Sequence, residues 1–313
     1  MDKKLLIWIL VYMLSSISAI LVNKYVLTNL KFTYPTIYQS WQMFVAAFLL
    51  ICIHTFGCTE IQCTTYAVVI KSWILPILSF TLSIYSGSIS LSRLPIPIFC
   101  IFQQGSTQLF VLISNLITFG RPSVFESITV MGGIGSTVLA VYLDMDYSHH
   151  RYKWLVVHCL SAGFYSFYAV HINTTKIKEI DKMVLNSTSS VLLLITFGYA
   201  TGETTSVLDF PFIHQSRFYL SCLLSGVFGT VIMLSYSNLC DITLLTKVRF
   251  YHSVTMALVC CVSFFIFDIM ITATITFIIF FGFANVIVYA YLVSYGRKSR
   301  DTERFAEKVV SMG

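Results

Sequence analysis

The stretch LLIWILVYMLSSISAILVNKYVL, Leu5–Leu27, follows Lys3 and Lys4 and carries a single charged side chain, Lys24. A helix needs about 20 mostly apolar residues to cross a bilayer, and this segment has 23. It is too long for the apolar core of a signal peptide and lacks a small-residue cleavage site. Ser15, Ser16 and Ser18 also interrupt it, so it reads as a first span and not as a removable leader.

The remainder of the chain repeats the pattern. Further apolar runs cover roughly 35–55, 68–90, 95–118, 125–143, 153–172, 184–202, 217–239, 243–267 and 270–294. The eighth and ninth are parted only by Asn238-Leu-Cys-Asp241, which leaves a count of nine open. Lipid-facing strands would alternate apolar and polar residues, and these runs do not. Composition agrees: of 313 residues, 57% are hydrophobic and only 11% are charged, against about 25% charged in an ordinary soluble domain. Disorder, a collagen-like repeat and a disulfide scaffold are excluded by the same numbers. The fold class expected is an all-α polytopic membrane protein of about ten transmembrane helices.

Lys and Arg suggest its orientation. With ten spans and a cytosolic N-terminus, twelve fall on the cytosolic side and six on the other (Lys24, Lys31, Arg93, Arg151, Lys153 and Arg217), with Lys247 and Arg249 in or beside span nine. The bias favours both termini in the cytosol. The polar segment Asp144–Arg151 divides the spans into two sets of five. Five is odd, so the halves would be inverted in the bilayer, an arrangement that carriers use with a site at the midplane. The expected organisation is a first five-helix repeat over 1–143, a connection over 144–152, a second repeat over 153–295 and a cytosolic tail over 296–313.

No soluble-enzyme signature is present: no His-Glu-x-x-His, no Gly-x-Ser-x-Gly, no P-loop and no Gly-x-Gly-x-x-Gly. The net charge of +6 is spread over loops and tail without a basic, aromatic-interleaved run, so nucleic acid is not an expected partner. Six of the nine Cys, namely Cys52, Cys100, Cys159, Cys222, Cys260 and Cys261, lie inside apolar runs as small hydrophobes. Cys58 and Cys63 share a loop without zinc-pair spacing. Adjacent His149 and His150 lie in a loop, and His54, His158, His171 and His252 stand singly, as hydrogen-bonded helix-end residues do. No metal or cofactor is expected. Gly132-Gly-Ile-Gly135 reads as a close helix-packing surface. The sequons at Asn173 and Asn186 face the cytosol or the membrane on this topology, so neither should be glycosylated.

Polar groups within spans are the candidates for chemistry, because charge buried in lipid is costly and usually functional. Lys247 and Arg249 are two residues apart and so point about 200° from each other on a helix. They cannot both face one cavity, but either could meet a phosphate, Lys as a point charge and Arg as a fork. Gln39 and Gln42 share a face, as do Tyr165 and Tyr168. Gln103, Gln104, Ser106, Thr107 and Gln108 crowd span four, Asn186 opens span seven, and Tyr236, Ser237 and Asn238 end span eight. Together these faces suggest a water-accessible cavity for a hydroxyl-rich ligand. Lys24 serves either that cavity or the interface.

The run Leu21–Gln42, with Asn23-Lys24, Tyr34-Pro35 and Gln42, resembles the opening of the nucleotide-sugar transporters in the drug/metabolite transporter superfamily. Leu91-Ser-Arg-Leu-Pro-Ile-Pro-Ile-Phe99 resembles their start of span four. Ser206-Val-Leu-Asp-Phe-Pro-Phe212 and Ser225-Gly-Val-Phe-Gly229 look closest to the transmembrane protein 241 branch, a relative of the GDP-mannose transporters. The resemblance implies a Golgi or ER carrier working by alternating access. It would exchange a cytosolic nucleotide sugar, of the UDP-N-acetylglucosamine or GDP-mannose class, for a lumenal nucleoside monophosphate. It leaves a homodimer open. GDP-mannose transporters carry Phe-Tyr-Asn-Asn in span seven and Gly-Ala-Leu-Asn-Lys in span nine. Here those motifs fall on Val184-Leu-Asn-Ser187 and His252-Ser-Val-Thr-Met256, so only Asn186 is kept and the motif lysine is absent. The expected ligand contacts are Lys247 or Arg249 for phosphate and Asn186 with Tyr165 or Tyr168 for base or sugar. Gln39, Gln42, Gln103 and Gln104 would line the cavity. Two other readings stay open, a carrier of another phosphorylated solute and a non-transporting scaffold that keeps the fold.

Overall fold

The computed structural model describes residues 3–57, 66–119, 124–144, 148–171, 178–269 and 271–311. Ten long helices and one short one follow in order: α1 (Lys3–Lys24, continued by a π turn over Tyr25–Asn29), α2 (Pro35–Thr55), α3 (Tyr66–Arg93), α4 (Ile96–Phe119), α5 (Val124–Tyr142), α6 (His149–His171), α7 (Glu179–Ala200), α8 (Glu203–Ser206), α9 (Ser216–Ile242), α10 (Leu245–Ile266) and α11 (Ala273–Ser311). No strand occurs among the described residues. Cys58, Cys63 and the sequon residue Asn173 lie outside them.

Which side chains face out shows what the solvent is. On α1, Leu14 is 64% exposed while Ser15 and Ser16 are 5% and 4% exposed. On α2, Trp41, Phe44, Phe48 and Ile51 point outward, and Gln39, Ser40 and Gln42 point inward. A water-soluble protein does the reverse. Many buried hydroxyls bond a carbonyl of their own helix, as in Ser90 Oγ to Ser86 O (2.8 Å) and Ser235 Oγ to Val231 O (2.7 Å), so they cost little in a lipid-facing bundle. The protein is an all-α polytopic membrane protein.

Nine described helices are long and apolar enough to cross a membrane by length and composition. The tenth expected span, α6, has 23 residues but is diluted by Arg151, Lys153, His158 and Ser161. Its polar side leans on α3, where His158 Nδ1 lies 2.8 Å from Ser83 O. The shortfall therefore does not come from fusion of spans eight and nine. Extended backbone at Thr243 and Leu244 separates α9 from α10.

Three boundaries differ most from the sequence reading: α11 runs on to Ser311 through the expected tail, and two helices start early. Helix α7 begins at Glu179, five residues early, because acidic Glu179 and Asp181 in a first turn suit the positive end of the helix dipole. Asn186 therefore lies two turns inside α7 and does not open it. His149 and His150 begin α6 and are not in a loop.

Helix packing has an internal correspondence. Moving each long helix five places along the chain turns the α3–α6 contact into α9–α1, α2–α9 into α7–α3, α4–α5 into α10–α11, and α4–α6 into α10–α1, all of which occur. The pairs α2–α7, α4–α10 and α5–α11 map onto themselves and also pack together.

The end of the bundle reached first by α1 at Lys24 is sealed. Buried Lys24 donates from Nζ to Leu91 O (2.7 Å) and Leu94 O (2.8 Å), filling the orphan carbonyls at the end of α3. Arg151 Nη2 reaches Arg93 O at 3.0 Å, and Arg93 Nη1 reaches His150 O at 2.9 Å. Phe210, from the Asp209-Phe-Pro-Phe212 loop, packs against Phe32 and Phe218 with ring centroids 4.9 and 5.1 Å apart. Glu203 of α8 accepts from Thr36 N (3.0 Å) and from Thr36 Oγ1, capping α2 where Pro35 supplies no N–H.

Candidate functional site

A cavity of about 370 Å³ lies inside the bundle, a size suited to a small ligand (roughly 300–1,000 Å³). Its walls come from α1, α3, α4, α6, α7, α9 and α10. It runs from mid-bundle to Glu179 and Leu245, the first residues of α7 and α10. It thus extends toward the end where α1 begins, opposite the sealed end.

On α10 the spacing Leu245, Val248, Arg249, His252 puts one helix face on the cavity. Lys247, 200° round from Arg249, is exposed and outside the lining. His252 Nδ1 shares a hydrogen bond with Tyr12 Oη of α1 at 2.9 Å. Tyr236 of α9 completes this wall.

The opposing wall is a fixed relay. Trp73 Nε1 donates to Asn186 Oδ1 (3.2 Å), and Asn186 Nδ2 donates to Tyr165 Oη (2.9 Å). Both members of the Asn186–Tyr165 pair line the cavity. Tyr168, one turn on, packs edge-on against Trp73 instead (6.1 Å). The Trp73 ring also lies 5.5 Å from Lys182 Nζ, which is 2.6 Å from Glu179 Oε1. Glu179 lines the cavity with its charge paired to Lys182, and Arg249 supplies positive charge to the lining. The arrangement offers a guanidinium fork for an oxyanion, amide and phenol groups for hydroxyls or a base edge, and Phe80 and Phe110 for a ring face.

Of the expected ligand contacts, Gln103, Tyr165, Asn186 and Arg249 are brought together here, with Ser106, Thr107 and Tyr236 from the polar faces the sequence singled out. The other expected contacts lie elsewhere. Gln104 borders an adjoining small void. Gln42 Nε2 donates to Asn23 Oδ1 (2.9 Å) and to Ser225 Oγ, at the junction of α1, α2 and α9. Gln39 is buried on α2 away from the lining, and Lys24 is occupied as the cap of α3. Tyr12, Glu179 and His252 were not among the expected site residues. For His252 the signal was available, since it falls three residues after Arg249 on the same face. No group of three or more His, Cys, Asp or Glu able to hold a metal occurs among the described residues.

A largely apolar chamber with a few inward polar groups, enclosed by a bundle of membrane helices and extending toward one end, defines the class as a helical membrane protein with an internal ligand cavity. The UDP-N-acetylglucosamine transporter TMEM241 of Mus musculus is 32% identical over 215 residues, covering 69% of this chain and 72% of the relative. The TMEM241 homolog of Xenopus laevis, also a UDP-N-acetylglucosamine transporter, is 29% identical over 279 residues, covering 88% and 93%. The GDP-mannose transporter GONST1 of Arabidopsis thaliana is 23% identical over 234 residues, covering 71% and 69%. The chain belongs to the nucleotide-sugar transporter family. No protein-family model matches it. One solved crystal structure, of a protein without further description, shares the fold with a TM-score of 0.54 at 10% identity, covering 90% of this chain and 98% of that one.

Proposed function

We propose that the protein exchanges a cytosolic nucleotide sugar for a lumenal nucleoside monophosphate across a Golgi or ER membrane, with both termini in the cytosol. The observation that carries this reading is Arg249 facing the Asn186–Tyr165 pair across one cavity. A guanidinium matches phosphate oxygens as a two-pronged donor. The amide and phenol, held by Trp73, present donors and acceptors to hydroxyls or a base. The names of the relatives favour a UDP-N-acetylglucosamine type of substrate.

The asymmetry of the two ends supports alternating access. The cavity is reached from the end where α1 begins, while the Lys24, Arg93–Arg151 and Phe210 contacts seal the other. The five-place correspondence in packing supports two inverted repeats that rock about the central α4–α10 contact. Substrate bound to Arg249 and Asn186 draws α10 and α7 together, and the seal opens as the first end closes.

Thermal stabilisation of the purified protein tests this. UDP-N-acetylglucosamine and UMP raise its melting temperature, whereas glucose 1-phosphate does not. Stabilisation by the sugar phosphate alone moves the assignment to that solute class, and no response to any nucleotide favours the scaffold.

A further inference from the structure

Helix α7 turns one face to the cavity, with Glu179, Met183 and Asn186 at i, i+4 and i+7. Seven residues of helix put Glu179 about 10 Å nearer than Asn186 to the end where α1 begins. Among the described residues, Glu179 brings the one carboxylate of the lining and Arg249 the one guanidinium. The Glu179 side chain is 32% exposed. Its charge reaches the hydroxyls of Tyr165 and Tyr236, one on each wall.

A carboxylate among membrane helices is costly and usually functional, and this one is fixed in place. Lys182 Nζ donates to its Oε1 at 2.6 Å. Lys182 is buried, with its ammonium 5.5 Å from the centre of the Trp73 ring. The same Trp73 holds Asn186 through its Nε1. One indole therefore orders both the carboxylate clamp and the amide two turns deeper.

Charge decides what Glu179 can meet. An ionised carboxylate only accepts hydrogen bonds, and it repels a phosphate. A ligand whose phosphate lies on Arg249 must turn an uncharged, donor-rich part toward Glu179. A uracil edge does not serve, since its single N–H is flanked by two carbonyl oxygens. The ribose serves, with two vicinal hydroxyls. Dinucleotide-binding folds use an acidic side chain on the ribose 2′-hydroxyl in the same way.

We propose that Glu179 accepts the vicinal ribose hydroxyls of the bound nucleotide while Arg249 holds its phosphate, so that the cavity selects ribonucleotides over deoxyribonucleotides, a role that rests on the transport reading above. The nucleotide sugar and the monophosphate share the ribose, so one contact serves both legs of the exchange.

The test compares the binding of UMP and 2′-deoxy-UMP to the purified full chain by calorimetry. UMP binds at least about 10-fold more tightly, as a hydrogen bond to a charged group implies. Glu179→Gln lowers that ratio about fivefold, because a neutral acceptor replaces a charged one. The double variant Glu179→Gln, Lys182→Met leaves no buried lysine unpaired and gives the same result if the single variant folds poorly. Equal affinity of the unaltered protein for the two nucleotides overturns the ribose contact and leaves the transport reading intact. A ratio unchanged in the folded variants does the same. Variants that weaken UDP-N-acetylglucosamine but not UMP assign Glu179 to the hexose hydroxyls and also overturn it. Binding of neither UMP nor UDP-N-acetylglucosamine overturns the transport reading and the ribose contact with it.

Discussion

Tyr12 and His252 are separated by 240 positions in the chain, yet the phenol of one lies 2.9 Å from Nδ1 of the other. The contact joins α1 to α10 at the edge of the cavity and fixes the ring of His252 toward it. A neutral buried hydrogen bond contributes about 0.5–1.5 kcal/mol. Tyr12→Phe is therefore expected to raise the half-saturating substrate concentration about 2- to 12-fold with little change in folded yield. Concentration series of uptake by the variant check this, and an unchanged value means that the contact does not orient the site.

Arg249 and Lys247 make a paired experiment. Only Arg249 lines the cavity, and Lys247 is exposed beside it. Charge-assisted hydrogen bonds are worth about 1.5–3 kcal/mol, so Arg249→Ala should lower transport efficiency at least about 10- to 150-fold. Arg249→Lys should recover part of it, as a point charge without the fork. Lys247→Ala should have a much smaller effect. The opposite order of effects would place the phosphate at Lys247.

Trp73 touches Asn186 and does not line the cavity. It is a positioning residue. Trp73→Phe keeps a ring beside Lys182 and Tyr168 but frees the Asn186 amide. The expected result is a raised KM with a nearly unchanged maximal rate. A fall in maximal rate with KM preserved would show that Trp73 acts on the conformational cycle.

Lys24 was expected to serve the cavity or the interface, and it caps α3. Lys24→Met leaves two buried carbonyls unsatisfied at about 1–3 kcal/mol each. The melting temperature of the purified protein should fall by several degrees, with substrate affinity of the folded fraction preserved. An unaltered melting temperature with weakened binding would return Lys24 to the site.

Apolar run length made the helices legible, and the end of α7 nearest the cavity was lost because Glu179, Asp181 and Lys182 look like a loop until Trp73 and the helix dipole are seen to accommodate them. Polar spacing within spans told which residues face inward but not which inter-helix space they enter. Gln42 and Gln103 both point inward, one to the junction with Asn23 and Ser225 and the other to the cavity. The 200° argument separated Lys247 from Arg249 without saying which was inside; the burial of Val248 and the inward face of His252 decide it. Tyr12 could not be found from its neighbours, since its partner is 240 positions away.

The central claim is exchange of a nucleotide sugar through the Arg249 cavity, and counterflow tests it most directly. Liposomes containing the purified protein are loaded with UMP, GMP or buffer, and uptake of labelled UDP-N-acetylglucosamine and GDP-mannose is followed. The account predicts uptake of the UDP sugar that is stimulated by internal UMP and lost in Arg249→Ala. Uptake indifferent to internal nucleotide, or equal in Arg249→Ala and the unaltered protein, would contradict it.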